Sequence, residues 1–192
     1  MMKRLYIILL CTLAVCMAAS AQSSDKLYKE AKALYDAKNY AAAVPKLKIA
    51  AEKGHKKAQY RLGRCYDKGR GMAENNSLAF QWYLKSAKQD YAKAQYRVAK
   101  CYKDGEGVLK DRKKAFEYFT KSANQDYAEA QYSLGKCYMK GKGTQADQKK
   151  AVYWFKKAVS NADGGSEILA ELRADASKGD EDAKAILKMI RK

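Results

Sequence analysis

Apolar residues recur along most of the chain at the spacing of an α-helix. Within residues 58–66 they stand three or four positions apart, which places them on one helix face. The same spacing returns in residues 79–87, after a polar stretch that contains Gly69 and Gly71. Because glycine readily takes the left-handed conformation in which many helices end, this pair marks the end of the first helix. The pattern therefore predicts two amphipathic helices joined by a short loop.

The two-helix pattern repeats with a period of 36 residues. A period of this length indicates helical hairpins that stack on one another, because one hairpin alone cannot bury its apolar face. An Asn or Asp precedes each second helix, where its side chain can cap the first free backbone N–H groups. The recurring positions are Ala-Gln-Tyr from Ala58, Ala94 and Ala130, Cys-Tyr from Cys65, Cys101 and Cys137, and the caps Asn75, Asp111 and Asp147.

The regions on either side of the three full repeats are variants of the same unit. Upstream lies a version with a loop four residues shorter. Its Pro45 falls inside the second helix, where we expect a kink or a late start because proline lacks the backbone N–H. Downstream we expect a closing helical pair, with Ser166 and Asp180 as N-caps. The predicted units are 22–57, 58–93, 94–129, 130–165 and 166–192.

The first 21 residues have the composition of a secretory signal peptide. Lys3 and Arg4 precede the apolar run Leu5–Ala14, and Ala19–Ala21 form a small-residue cleavage pattern. The apolar run is too short to span a bilayer as a permanent helix. We therefore expect export to the periplasm or the exterior, with residues 1–21 removed. As an alternative, the segment before Cys16 resembles a lipoprotein signal, although the preceding residue is bulkier than that signal prefers.

Composition excludes several kinds of reaction centre. One histidine in the chain makes a histidine-based metal site or a Ser-His-Asp triad unlikely. The Gly-x-Gly pairs follow helices instead of strands, so they do not form a phosphate-binding loop. We identify no catalytic, metal-binding or cofactor-binding residues and expect no enzyme activity. His55 aligns with Tyr91 and Tyr127 in the repeat, which predicts a packing role at the turn.

The three cysteines of the repeats occupy one equivalent helical position, at Cys65, Cys101 and Cys137. Such positions on stacked helices lie about 8–10 Å apart. A disulfide requires Cα atoms closer than about 7 Å. We therefore predict three reduced, buried thiols that act as small hydrophobic residues.

The repeat resembles the Sel1-like repeat family, a relative of the tetratricopeptide repeats. The matching pattern is A-x-Y-x-L-G-x-C-Y-x-x-G-x-G, a loop, and then A-x-x-W/Y-Y/F-x-K-x-A, in three units from Ala58 to about Asp163. The second unit departs from it with Val98-Ala99 in place of Leu-Gly. The resemblance implies an all-α fold, a right-handed α/α solenoid of stacked helical hairpins, and a protein-interaction scaffold.

One cysteine-rich branch of this family carries a second cysteine on the next helix, which closes a disulfide, and β-lactamase activity has been attributed to that branch. The matching positions here hold no cysteine, which weakens any transfer of that activity. An enzyme of this kind is retained as an alternative. The three positions are Ala87, Ala123 and Val159.

A tyrosine on each first helix precedes a basic residue by four positions, so that both lie on one helix face. In tetratricopeptide-like solenoids the first helices line the concave groove, which would then carry a Tyr–Lys/Arg ladder. We expect it to bind a protein partner through an acidic peptide or a C-terminal carboxylate. Alternatively, the tyrosines are structural and the cations only solvated. The ladder consists of Tyr28 and Lys32, Tyr60 and Arg64, Tyr96 and Lys100, and Tyr132 and Lys136.

The basic character of the chain supports a second functional class. It has 39 Lys and Arg against 21 Asp and Glu, a net charge of +18, and its 47% hydrophobic content can still form a core. Loss of Lys3 and Arg4 with the signal peptide leaves 37 against 21, or +16. Binding of a polyanion, such as nucleic acid or an anionic envelope component, is thus an alternative. Lysines also lie on the second helices, and this spread, like export, argues against a nucleic-acid track.

Overall fold

A computed structural model of the chain describes residues 23–191, all of whose regular secondary structure is helical. The predicted signal peptide, with Cys16, lies outside the described residues. No helix in the described range has the length and apolar character needed to cross a membrane. The helices are α1 (23–36), α2 (Tyr40–Glu52), α3 (Lys56–Asp67), α4 (Asn76–Ala87), α5 (Ala92–Asp104), α6 (Arg112–Ala123), α7 (Ala128–Lys140), α8 (Gln148–Val159), α9 (Gly165–Ser177) and α10 (Glu181–Arg191).

The helices form hairpins within two compact units. The first unit extends to Gln89 and contains α1 to α4, and the second begins at Asp90 and contains α5 to α10. In each unit the first helix of a repeat packs against the second helix of the same repeat. The prediction of an all-α solenoid fold made of 36-residue helical hairpins is confirmed.

The predicted caps fix where the second helices of the full repeats begin. The side-chain oxygens of Asn75, Asp111 and Asp147 accept the backbone N–H three residues ahead at 2.9, 2.9 and 3.0 Å. Gly105 and Gly141 end α5 and α7 in the left-handed conformation, with φ of 83° and 63°. These contacts are local in sequence, which is why the sequence pattern predicts them correctly.

Of the kink or late start expected at Pro45, the late start is wrong. The helix begins at Tyr40, where the Asn39 side chain accepts the N–H of Ala42 at 3.3 Å, and it continues through Pro45. Proline removes the hydrogen bond that would reach the carbonyl of Ala41. Both Ala41 and Pro45 are exposed, so water can hydrogen-bond that carbonyl.

Ser166 is not the cap of α9, in contrast to the sequence prediction. The helix begins at Gly165, two residues before the start that a Ser166 cap would give, and its N-cap is Gly164 at φ 99°. The Ser166 hydroxyl instead donates to Glu167 at 3.0 Å. The physical reason is a close backbone approach, since a Cβ on Gly165 would lie 2.6 Å from the carbonyl oxygen of Val159. The Asp180 cap on α10 is confirmed by its 2.7 Å bond to the Ala183 N–H.

Large rings fill the space beside the small residues of the helix crossings. A Cβ on Gly63 would lie 2.7 Å from the ring of Tyr83, and one on Gly135 would lie 2.7 Å from Phe155. The middle repeat instead has Ala99, which is fully buried in the cluster that also contains Phe119. The crossing therefore accepts either residue once the facing ring is positioned to match.

Candidate functional site

The second unit contains a cavity of about 540 Å³ whose walls are formed mainly by α5, α6 and α7, with two residues from α9. It is within the range of about 300–1,000 Å³ that is typical of ligand sites. Tyr96, Lys100, Tyr132 and Lys136 all line it. These four residues are the half of the predicted Tyr–Lys/Arg ladder that belongs to this unit, so the structure brings them together.

The aromatic walls of the cavity are held by packing against buried rings. Tyr96 contacts Phe119 with ring centroids 5.8 Å apart, and Tyr132 contacts Phe155 at 5.7 Å. Phe119 also lines the cavity, together with Ile168 of α9. The cavity thus combines rigid tyrosine rings with an apolar floor, an arrangement that gives contact area at little entropic cost.

Basic side chains dominate the polar part of the lining. Seven Lys and Arg residues line the cavity against the three carboxylates of Asp104, Glu129 and Glu171. Lys100 and Lys136 are half-buried, and the Lys136 ammonium lies 5.4 Å from the centre of the Tyr132 ring. This excess of positive charge beside apolar walls favours a ligand that carries carboxylates.

The titratable groups at the base of the cavity are uncharged at neutral pH. Burial, followed by the negative charges of Asp175 and Asp180, raises the pKa of Tyr132 to about 12. Burial also raises the pKa of Tyr96, and it raises that of Cys137 to about 11. The phenol groups can therefore donate hydrogen bonds while the lysines supply the charge.

The first unit uses its half of the ladder for internal contacts. Lys32 forms an ion pair with Asp36 at 2.6 Å instead of facing an open groove. The hydroxyl of Tyr28 accepts a hydrogen bond from Arg61 at 3.2 Å, and Arg61 also binds Asp36 at 3.1 Å. The Arg61 guanidinium lies 4.8 Å from the ring centre of Tyr35, which completes this cluster.

The remaining first-unit members of the ladder lie on α3. Tyr60 packs on the buried Tyr83, with ring centroids 5.8 Å apart, and Arg64 is half-buried one turn further along. Tyr28 is the one ladder residue of this unit that lines its hollow of about 750 Å³, near the starts of α1 and α3. The structure therefore does not bring these four residues together in one cavity.

His55 has a more specific role than the packing predicted for it. Its Nδ1 accepts the N–H of Ala58 at 3.0 Å, so the imidazole is the N-cap of α3. Its Nε2 lies 3.2 Å from the carboxylate of Asp25, and its ring stacks on Tyr28 at 4.2 Å. Burial lowers the pKa of His55 although Asp25 acts in the opposite direction. The neutral form, with a lone pair on Nδ1, is the one that can cap the helix.

The cysteines behave as predicted. Cys65, Cys101 and Cys137 are buried, and none of them takes part in a disulfide. Burial raises the pKa of the Cys65 thiol to about 11. In the described part of the chain, no three His, Cys, Asp or Glu side chains meet in an arrangement that could hold a metal ion.

The second helices carry aromatic–lysine pairs that the sequence analysis missed. In each pair an ammonium lies over the ring three residues earlier, at 4.1, 5.0 and 5.5 Å from the ring centre in chain order. The signal was available, since the pairs recur every 36 residues. They are Trp82 and Lys85, Tyr118 and Lys121, and Trp154 and Lys157.

The glutamine of each Ala-Gln-Tyr motif is a buried structural connector. Gln59 donates to the carbonyl of Ala51 at 3.0 Å and accepts from Gln89 at 2.7 Å. In the second unit, Gln131 donates to the carbonyl of Ala123 at 3.4 Å and accepts from Asn161 at 3.1 Å. Because these side chains are buried, the hydrogen bonds are needed to offset desolvation.

Comparison with known proteins identifies the repeat. The model of the Sel1 repeat matches three segments of the chain, residues 56–91, 92–127 and 128–163. These segments cover more than half of the sequence and include α3 to α8. No match was found among curated protein sequences.

Two solved structures illustrate the likeness. A Sel1 repeat protein from Oxalobacter formigenes is 31% identical, with a TM-score of 0.68, over 81% of this chain and 72% of that one. A protective antigen of uropathogenic Escherichia coli with an SLR fold is 24% identical, with a TM-score of 0.72, over 91% of this chain. The match spans 40% of that antigen, and this likeness shows the fold alone. The family model and the structure from Oxalobacter formigenes together show that the chain belongs to the Sel1 repeat family.

Proposed function

We propose that the chain is a non-enzymatic protein-interaction scaffold whose second unit binds an acidic peptide segment of a partner protein. Sel1 repeat proteins generally mediate protein–protein interactions. The observation that carries the proposal is the cavity of about 540 Å³, with its excess of basic side chains around tyrosine walls and an apolar floor. Carboxylates of the partner pair with the ammonium groups, while its apolar atoms cover Tyr96 and Tyr132.

Export to the periplasm or the exterior is part of this proposal. It is supported by the basic, apolar and small-residue succession of residues 1–21. Mass spectrometry of the mature protein tests it. A first residue at Gln22 fits cleavage of a secretory signal, whereas a lipid on Cys16 indicates membrane anchoring.

Charge reversal in the cavity is the direct test of peptide binding. We expect the double variant Lys100→Glu/Lys136→Glu to bind a fluorescent library of Asp- and Glu-rich decapeptides about tenfold more weakly. Fluorescence anisotropy at low and physiological salt measures the change. The matched control is Lys113→Glu/Lys149→Glu, which alters charge equally at exposed positions outside the cavity.

The control separates local recognition from a general charge effect. Binding by the control variant should remain within about twofold of the original chain. Equal losses in the two double variants, or no binding of the library to the original chain at low salt, would contradict the proposal.

Polyanion binding is the second candidate. It is favoured by the net charge of +18 and by the aromatic–lysine pairs on the second helices. Binding to a mixed-sequence oligonucleotide that weakens steeply and linearly on a log–log plot against salt would support it. Loss of that binding in Lys113→Glu/Lys149→Glu, with Lys100→Glu/Lys136→Glu unaffected, would favour this function over peptide recognition.

Catalysis of the β-lactamase type is the third candidate and the least supported. The cavity thiol of Cys137 has a pKa of about 11, so it is a poor nucleophile at neutral pH. We expect no hydrolysis of nitrocefin above the buffer rate. A turnover that disappears in Cys137→Ala would overturn the non-enzymatic assignment.

A further inference from the structure

We propose that the cavity of the second unit receives the C-terminal residue of the partner, with its carboxylate between Lys100 and Lys136 and an apolar side chain on Phe119 and Ile168. This inference rests on the proposed peptide-binding function and narrows it. The acidic group that contributes most to binding is then the C-terminal carboxylate of the partner, and the residue that carries it has an apolar side chain.

The cavity places positive charge directly beside apolar surface. Phe119 and Ile168 both line it although they are only 2% and 6% exposed, so their contribution is a floor and not a rim. Lys136 precedes Cys137 on α7, and both residues line the same cavity. A ligand that uses both parts of the cavity must therefore present a negative group and an apolar group to it at the same time.

An internal segment of an extended peptide meets this requirement poorly. Successive side chains of an extended chain point to opposite faces, so an acidic and an apolar residue can enter one cavity only from positions two apart, with their Cα atoms separated by about 7 Å. A C-terminal residue carries the carboxylate and the side chain on the same Cα. It can place both groups in the cavity at once.

Ion pairing and burial together distinguish two of the cavity lysines from the others. Lys103 pairs with Asp104 at 3.3 Å, and Lys140 pairs with Asp182. Four cavity lysines take part in none of the ion pairs found within residues 23–191, and of these Lys100 and Lys136 are half-buried while Lys110 and Lys142 are exposed. A carboxylate bound between Lys100 and Lys136 gains charge-assisted hydrogen bonds without having to break an existing ion pair.

The carboxylate of α9 gives the ligand a direction. Glu171 lines the cavity three residues after Ile168, which places both side chains on one helix face. Its negative charge repels a carboxylate on that side. On α5, Asp104 is already paired with Lys103, and on α7, Glu129 lies about two turns before Lys136. The terminal carboxylate is therefore directed towards Lys100 and Lys136, while the apolar side chain faces α9.

Four synthetic peptides test the inference on the full chain. They share one acidic decapeptide and differ at the end: Leu with a free carboxylate, Leu amide, Ser with a free carboxylate, and Ser with the Leu moved to the interior. We expect the first to bind about tenfold more tightly than each of the others. Lys100→Gln/Lys136→Gln should reduce its affinity to that of the amide, with an unchanged melting temperature.

The outcomes separate the two proposals. If all four peptides bind equally and Lys100→Glu/Lys136→Glu still weakens them, peptide binding stands and terminal recognition is overturned. If no peptide binds, both peptide binding and terminal recognition are overturned. As a second measurement, the δ1-methyl resonance of Ile168 should shift with the Leu-ended acid but not with its amide, while that of the exposed Ile49 in the first unit stays in place. A shift of Ile168 that is equal for both peptides would contradict terminal recognition.

Discussion

In the first unit Arg61 reaches the hydroxyl of Tyr28, whereas in the second unit the corresponding residue beside Tyr96 is Ser133. The guanidinium occupies the space next to its tyrosine and also binds Asp36. The serine hydroxyl hydrogen-bonds its tyrosine too, but it is small and lines an open cavity. Tyrosines with the same Tyr–cation spacing thus form an internal hydrogen-bonded cluster in the first unit and line a cavity in the second. The two units differ at one residue on the first helix of the next repeat, which is Arg61 in the first unit and Ser133 in the second.

Replacing Ser133 by the arginine of the first unit should have the largest effect on peptide binding. Ser133→Arg places a guanidinium in the cavity, where it excludes the ligand by volume and can bind Glu129 or Glu171. We expect peptide affinity to fall by a factor of about 100 with little change in thermal stability. Anisotropy titration against Ser133→Ala, which keeps the cavity open, measures the effect. Undiminished binding in Ser133→Arg would show that the ligand binds elsewhere.

The reverse exchange should destabilise the first unit. Arg61→Ser removes the hydrogen bonds to Tyr28 and Asp36 and the contact with Tyr35. We expect the free energy of unfolding to fall by about 2 kcal/mol. Urea denaturation followed by circular dichroism measures this value. Arg61→Lys is the conservative comparison, and equal stability of the lysine variant and the original chain would argue against a bidentate clamp.

A buried pair also distinguishes the first unit. The hydroxyl of Tyr83 donates to the carboxylate of Asp67 at 3.0 Å, whereas the third full repeat has Phe155 and Met139 at these positions. Tyr83→Phe should cost about 1–2 kcal/mol because it leaves that carboxylate without this donor. Tyr83→Phe/Asp67→Met should recover most of the loss. Additive losses in the double-mutant cycle would mean that the two residues are not coupled.

Lowering the pH should destabilise the first unit by protonating His55, the N-cap of α3. Because the pKa of His55 is lowered in the folded chain, the unfolded state binds the proton more readily below the ordinary value of 6.5. The stability that depends on neutral His55 is present above about pH 6.5 and is lost as pH falls through the folded-state pKa. His55→Asn, which keeps a cap, should abolish this part of the pH dependence and change stability at pH 7.5 by less than about 1 kcal/mol. Melting curves at several pH values provide the test.

Local patterns explain how much of the fold the sequence predicts. The caps Asn75, Asp111 and Asp147 act on N–H groups three residues away, so the sequence contains the whole interaction. The start of α9 depends on the approach of Gly165 to Val159, a tertiary contact. A cap predicted from the residue type of Ser166 therefore fails.

The candidate site is predictable only in part for a similar reason. A spacing of four residues places Tyr96 and Lys100 on one face, and both residues line the cavity of the second unit. The same spacing does not predict which side chain of the next repeat lies beside the tyrosine, or whether that side chain fills the space there. That information lies at position 61 or 133, more than 30 residues from the tyrosine it affects.

The hydrogen bonds of the buried glutamines link consecutive repeats in one direction along the chain. Gln59 and Gln131 each donate backwards, to the end of the preceding hairpin, and accept from a side chain 30 residues ahead, at the end of their own hairpin. A duplicated 36-residue segment inserted in register would bring both halves of this connection with it. The chain could therefore be lengthened or shortened by whole repeats without leaving a buried amide unpaired. An insertion or deletion that ends within a repeat would leave one unpaired. Variation in repeat number is thus an accessible route by which such proteins can change the extent of their binding surface.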